Sequence, residues 1–300
     1  MEKLALIGLG RIAKNYTDGI ARSLRFALVA ICDLDENAPS RAEYGEVPFY
    51  TDYKTLIERE RPDWLLIATP PTTHVPLAEY ALTHGVSVLL EKPATLSLPD
   101  YHALSALAAR EGKELDVMLH WQWGNEIPFL SATLFAERPE RIEIEIHDPY
   151  SADGLSIDAN RRALMGAWFD SGINALSMLD ALVDISQYRI VSAKAVPCAT
   201  TGLPIFVRVE LDVGGIAVSL TVDWRLHDDA KRSRIVAGGR EYLTDHMART
   251  VTVDGEEQCF ATDTRLVEHY RNFFEGAYSA GTGEAALPIH EILFKAGELF

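Results

Sequence analysis

The residues most able to do chemistry in this chain sit at the ends of short apolar runs. Gly8-Leu9-Gly10-Arg11-Ile12-Ala13 follows one such run and opens a helical stretch. In a strand–turn–helix of this kind the first glycine permits the tight turn. The second lets a pyrophosphate reach the backbone, and the alanine lets the helix pack closely on the strand. N–H groups at the helix start then face the anion, so Gly8, Gly10, Arg11 and Ile12 are candidate cofactor contacts. Asp33 stands 25 residues after Gly8, at the end of the next apolar run. A carboxylate there can accept hydrogen bonds from the adenosine ribose hydroxyls. Its charge would repel a 2′-phosphate, and Leu34-Asp35-Glu36 supply no basic clamp, so NAD is favoured; Arg11 and Arg41 leave NADP open. Thr69-Pro70-Pro71-Thr72-Thr73-His74 follows a further run, where open α/β sheets place their ligands. Thr69, Pro70 and His74 are expected to line the cofactor, the alternative being a turn with a helix N-cap at Thr72 or Thr73.

The elements that position these residues follow from periodicity. Leu4–Ile7, Phe26–Cys32, Trp64–Ala68, Val86–Leu90 and Leu115–Leu119 are continuous apolar runs. Helical stretches separate them, at Ile12–Ser23, Tyr53–Glu60, Val75–Thr83 and Leu98–Arg110. Strands apolar on both faces with helical crossovers mean a parallel sheet in an α/β domain. Beyond Trp121 the pattern changes to alternation. Arg141–His147, Ile205–Val213 and Ile216–Trp224 alternate apolar with charged or polar residues, the last two joined by Gly214-Gly215 as a hairpin. With helices expected over Ser171–Val183, Arg265–Tyr278 and Ile289–Leu299, this second part is α+β with an open, mostly antiparallel sheet. The expected division is a Rossmann domain over 1–120 and a substrate and oligomerisation domain over 121–300, with a final helix, about 288–300, placed to pack back on the first.

Composition agrees with a two-domain soluble chain. The 300 residues are 48% hydrophobic and 24% charged, enough apolar material for a sizeable core. With 28 Lys and Arg against 44 Asp and Glu, the net charge is −16, a surface that repels phosphate backbones and anionic lipid. Neither nucleic acid nor membrane is an expected partner. The cysteines Cys32, Cys198 and Cys259 form no CxxC pair, and Met1 leads straight into a strand pattern, so a cytoplasmic location is expected. His147, His227, His246, His269 and His290 have no ligand spacing, and no metal is proposed.

Glu91-Lys92-Pro93 closes the apolar run Val86–Leu90. Together with the GxGxxA start and the Thr69–His74 loop, it resembles the Gfo/Idh/MocA oxidoreductase family, over essentially the whole chain. The resemblance implies a dinucleotide domain followed by an open-sheet domain. It places Lys92 beside the nicotinamide and the substrate oxygen, with Glu91 among the cofactor contacts. A second signature lies at Trp168-Phe169-Asp170-Ser171-Gly172-Ile173-Asn174-Ala175-Leu176-Ser177. Asp170 and Gly172 match the family, while Asn174 stands where most members carry histidine. Asparagine there is similar to the subgroup of L-arabinose 1-dehydrogenase and D-galactose 1-dehydrogenase. Spacing alone puts Asp170 and Asn174 on one helix face at i and i+4, where an N-cap and a surface polar residue suffice to explain them.

The resemblance implies an aldose 1-dehydrogenase that passes hydride from C1 of a sugar to the nicotinamide and yields a lactone. Asn174 cannot titrate and would orient the C1 hydroxyl; Lys92 or Asp170 accepts its proton. His120-Trp121, after the last parallel strand, and Asp148, at the end of the first alternating strand, are candidate substrate contacts, with interdomain packing and a turn before Pro149 as alternatives. Asp148 to Asn160 lacks the Trp-rich stretch of the subgroup, and the segment after Trp224 also differs, so another aldose, a sugar acid or a polyol stays open. Two other functions remain: a dinucleotide-binding sensor without turnover, and a reductase of a non-sugar such as an imine or tetrapyrrole. The resemblance implies a homodimer or homotetramer through the second sheet, where the alternating strands offer a face that would otherwise be an exposed apolar patch.

Overall fold

The computed structural model describes residues 1–151, 153, 155–157, 162, 165–276 and 284–300. The chain divides into two units, Met1–Trp123 with Leu266–Leu287, and Gly124–Arg265 with Pro288–Phe300. In the first, the apolar runs become β1 (Glu2–Ile7), β2 (Phe26–Cys32), the short β3 (Phe49–Tyr50), β4 (Trp64–Ile67), β5 (Ser87–Glu91) and β6 (Leu115–Met118). They form one parallel sheet in the order β3-β2-β1-β4-β5-β6. Leu4, Leu6, Leu65, Leu66, Val88 and Leu89 are wholly buried, as strands covered on both faces require. The strand order reverses between β1 and β4, and ligands of open α/β sheets bind beyond the carboxyl ends at such a point.

Helix boundaries in this unit have local causes. Asp52 caps α2 (Tyr53–Glu60), accepting from the N–H groups of Lys54 and Thr55 at 3.3 and 3.0 Å. Ser97 caps α4 (Leu98–Glu111), which stops at Gly112 in the left-handed region. The expected Ile12–Ser23 helix is interrupted: a 3-10 turn covers Ala13–Asn15, and α1 proper runs only over Thr17–Arg22. Side chains compete for the carbonyls here. Tyr44 takes Ala13 O at 2.6 Å, and the Asn15 and Thr17 side chains donate to Ile12 O and Lys14 O at 3.0 Å each.

The division of the chain departs from expectation at its end. Helix α7 (Arg265–Glu275) gives Tyr270, Phe273 and Phe274 to the core of the first unit, alongside Tyr16, Phe26 and Trp64. A Cβ on Gly19 would lie 2.7 Å from the Tyr270 carbonyl, so glycine is what admits this helix. Tyr278, where the sequence ends this helix, lies outside the described residues. The final helix, α8 (Leu287–Gly297), belongs instead with the second unit, where Leu293 O accepts the Trp168 indole N–H at 2.8 Å. A helix near the chain end carries no local mark of which core its apolar face will join.

The second unit is built on an eight-stranded sheet. Its strands are β7 (Pro139–His147), β8 (Tyr188–Pro197), β9 (Pro204–Val213), β10 (Ile216–Asp223), β11 (Ala230–Ala237), β12 (Arg240–Asp245), β13 (Thr250–Val253) and β14 (Glu256–Cys259). The order is β14-β13-β12-β11-β7-β10-β9-β8, antiparallel except for the parallel pair β7–β10. The Gly214-Gly215 hairpin is present, with Ile216 opposite Val213. Helix α3 (His74–Thr83) completes the first unit, and α5 (Ile127–Ala136) and α6 (Ile173–Leu182) complete the second. The apolar face of the alternating strands is not left open. Ile142, Ile144, Ile146, Val209 and Leu220 are wholly buried, and α6 packs on β7 and β10 within the same unit. The opposite face is charged: Arg234 pairs with Glu143 at 3.4 Å and donates to Glu241 at 2.7 Å, while Arg208 donates to Glu210 at 2.6 Å. The apolar residues of β7, β9 and β10 are thus covered within their own unit, while the opposite face also carries the exposed Val196 and Leu243. Among them no helix is long and apolar enough to cross a membrane.

Candidate functional site

The carboxyl ends of β1, β2, β4 and β5 gather one set of predicted residues. Gly8 adopts φ +95°, and a Cβ there would sit 2.6 Å from the carbonyl carbon and oxygen of Ala68. The turn after β1 thus lies directly against the end of β4, and no side chain fits between them. Gly10 is the opposite case, since a Cβ would meet nothing within 4 Å. Leu9 N–H donates to Asp33 at 2.7 Å, and Ala13 N–H donates to Gly10 O at 3.1 Å. Among the described residues, the N–H groups of Gly10, Arg11 and Ile12 make no hydrogen bond. Open space over Gly10 beside three uncommitted donors fits a dinucleotide pyrophosphate. Arg11 is exposed and Ile12 half-buried.

Asp33 is partly committed to its own loop. One oxygen accepts from Leu9 N–H and the other from Asp35 N–H at 3.0 Å, which ties the ends of β1 and β2 together. Each oxygen keeps a second lone pair for a ribose hydroxyl. Arg41 stacks over Phe49 at 3.7 Å and donates to Glu36 O, so its guanidinium is already engaged.

His74 stands behind the loop it was expected to line. It is wholly buried, with Nε2 2.8 Å from Thr69 O and Nδ1 3.1 and 3.2 Å from Pro93 O and Ala94 O. The ring lies between the loop after β4 and the loop after β5, and when neutral its single N–H donates to one of them; Thr69 is half-buried and Pro70 exposed at the surface of the turn. Burial pushes the His74 ring below the ordinary value of 6.5, against the pull of the three carbonyls. A ring neutral in the folded protein and protonated in the unfolded chain makes stability fall as pH drops below about 6.5. The melting temperature of the wild type is expected to fall more steeply from about pH 7 to pH 5 than that of His74→Gln. Equal slopes would remove His74 from this account.

Glu91 also turns away from solvent. One oxygen accepts from Tyr16 at 2.7 Å and Tyr270 at 3.0 Å, and the other from Lys92 N–H at 3.1 Å. Burial raises its pKa, opposed by these donors and by the Lys92 charge. Glu91 is therefore a mount for the strand end, not a direct cofactor contact. Lys92 is half-buried and held on both sides, by Glu91 at its own N–H and by His74 at the next two carbonyls. His120 and Trp121, predicted to meet substrate, are 7% and 2% exposed. His120 Nδ1 lies 3.2 Å from His269 Nδ1, and both rings pack on α7 residues of their own unit. A buried indole cannot stack on a sugar.

In the second unit, Asp170 and Asn174 are half-buried positions in an otherwise almost wholly buried run. Trp168–Gly172 forms a π turn ahead of α6. The Asp-x-Gly spacing has a packing cause: a Cβ on Gly172 would lie 2.4 Å from the Trp168 indole. Asp148 is 7% exposed, and its oxygens are taken by Ser171 at 2.5 Å and Lys231 at 2.7 Å, so it does not present a free carboxylate to substrate. Sequence reasoning missed Tyr16, Tyr270, Ser171 and Lys231. The available signal for Lys231 was its inward register in the alternating stretch Ala230–Ala237. Among the described residues no group of three or more His, Cys, Asp or Glu could hold a metal ion.

Comparison with known proteins adds the following. Residues 3–119 match the GFO_IDH_MocA model, described as an oxidoreductase family with an NAD-binding Rossmann fold. The uncharacterised oxidoreductase YdgJ of Escherichia coli is 28% identical over 205 residues, covering 62% of this chain and 57% of that protein. D-apiose dehydrogenase of Paraburkholderia graminis is 32% identical over 123 residues, covering 40% of this chain and 33% of that enzyme. The chain thus spans less than two thirds of the length of either relative. The crystal structure of D-galactose-1-dehydrogenase from Rhizobium etli superposes with a TM-score of 0.77 at 21% identity, covering 99% of this chain and 94% of that one.

Proposed function

We propose that this chain, whose residues 3–119 match the GFO_IDH_MocA model, belongs to the Gfo/Idh/MocA oxidoreductases and is an NAD-dependent aldose 1-dehydrogenase, oxidising C1 of a ring-form sugar to a lactone. The observation that carries the reading is the mount of Lys92. Its N–H is held by Glu91 at the end of β5, the carbonyls of the next two residues lie against His74, and its side chain is half-buried at the carboxyl end of the sheet. A bound nicotinamide supplies the hydride acceptor. Gly10, Arg11 and Ile12 would hold the pyrophosphate, and Asp33 the adenosine ribose. Asn174 orients the C1 hydroxyl through its amide, and Lys92 or Asp170 takes the hydroxyl proton. The D-apiose dehydrogenase relative supports a sugar substrate.

The test is reduced-nicotinamide absorbance with purified protein and NAD, then NADP, across L-arabinose, D-galactose, D-xylose, D-glucose, D-fucose and myo-inositol. A rate with one or two aldoses is expected, faster with NAD. Tight NAD binding with no rate on any of them would overturn the aldose reading in favour of a sensor or a non-sugar reductase.

A further inference from the structure

The second unit contains a buried polar chain that the proposed chemistry does not use. Lys231 in β11 is 4% exposed, and its ammonium reaches Asp148 at 2.7 Å and His147 O at 3.2 Å, with Asp229 as a third acceptor. The other Asp148 oxygen accepts from the Ser171 hydroxyl at 2.5 Å, and Ser171 Oγ accepts from the Trp224 indole at 2.9 Å. The directions are forced. An indole and an ammonium only donate, so Ser171 must accept from Trp224 and spend its single O–H on Asp148. The chain converges on Asp148.

Its members come from one end of the sheet. Asp148 follows β7, Trp224 follows β10, and Lys231 lies at the start of β11; β10 and β11 flank β7. Ser171 alone belongs to the π turn, next to Asp170. Three neighbouring strand ends therefore grip that turn through one hydroxyl. We propose that Lys231 is a positioning residue: by pairing with Asp148 it holds the carboxylate on Ser171 and fixes the turn from which Asp170 and Asn174 extend. Its consequence for turnover rests on the aldose dehydrogenase reading. Removing the ammonium leaves a buried carboxylate without its counter-charge, a costly arrangement that is relieved by moving Asp148 off Ser171.

The test uses the full chain labelled with 15N-tryptophan. It has five tryptophans, and single Trp→Phe variants assign each indole signal. Trp224 reports the chain itself, and Trp168, which sits in the turn and donates to Leu293 O, reports the turn. In Lys231→Met both signals are expected to shift, while those of Trp64, Trp121 and Trp123 stay; Lys231→Arg restores both in part. On the aldose turned over by the wild type, kcat is expected to fall at least about tenfold, with the KM for NAD changed far less. An unmoved Trp168 signal in Lys231→Met overturns the proposal whatever the activity, as does a shifted signal with unchanged kcat. A wild type silent on every aldose defeats the functional reading instead, and the indole signals then decide the positioning alone. Should Lys231→Met not fold, Ser171→Ala keeps the ion pair, cuts the chain at the turn, and must displace the Trp168 signal.

Discussion

Lys92→Met is expected to lower kcat by about tenfold to a hundredfold, the magnitude of losing one general acid–base group, while the variant still folds, with a lower melting temperature because buried Glu91 loses the Lys92 charge. The two halves of this expectation come from different atoms of one residue. The fold depends on the Lys92 main chain, whose N–H donates to Glu91 at 3.1 Å and is retained in any substitution. In the proposed reaction catalysis depends on the ammonium, which methionine replaces with a thioether of similar length. Lys92→Arg keeps the charge on a planar group that cannot deprotonate at accessible pH, so it separates two roles. Activity retained in the arginine variant would assign Lys92 to charge and orientation, and Asp170 to the proton. Loss in both variants is expected if Lys92 itself accepts the proton. Unchanged turnover in Lys92→Met would remove the residue from the mechanism.

What the sequence disclosed and what it hid follow from how local each signal is. Parallel strands covered on both faces leave continuous apolar runs, so β1, β2, β4, β5 and β6 are legible within a residue or two at their ends. β7, β9 and β10 are legible by alternation because one face is a buried apolar row and the other is mainly polar or charged. β8 is not, since as the edge strand it has no wholly buried residue, and its Val191 and Val196 are exposed. The short β12, β13 and β14 carry too few inward residues to set a period. At the site, the spacing of Gly8 and Gly10 after an apolar run finds the turn, while Lys92 is reached through the family resemblance carried by Glu91-Lys92-Pro93. The partners that decide which way a side chain turns are remote. Tyr270 reaches Glu91 from 179 residues away and His269 reaches His120 from 149. No local pattern announces that Glu91 is a mount or that Trp121 is buried.

Gly8→Ala and Gly10→Ala are expected to fail in different ways, and the pair tests the dinucleotide site more sharply than either alone. At Gly8 the new methyl must meet Ala68 carbonyl atoms at 2.6 Å, at a φ of +95° that L residues rarely adopt. The methyl faces backbone of the neighbouring strand end, which has no rotamer by which to yield. Strain and overlap together should cost at least about 3 kcal/mol, read as a drop in the urea midpoint. At Gly10 the same methyl enters open space, so the urea midpoint is expected to stay at the wild-type value. That open space is where the pyrophosphate is expected, and the methyl would stand between it and the free N–H groups of Gly10, Arg11 and Ile12. The Kd for NAD, measured by titration calorimetry, should weaken by about tenfold or more. A Gly10→Ala protein that binds NAD as the wild type does would move the pyrophosphate away from this turn. A Gly8→Ala protein as stable as the wild type would mean that β1 and β4 do not meet as closely as 2.6 Å implies.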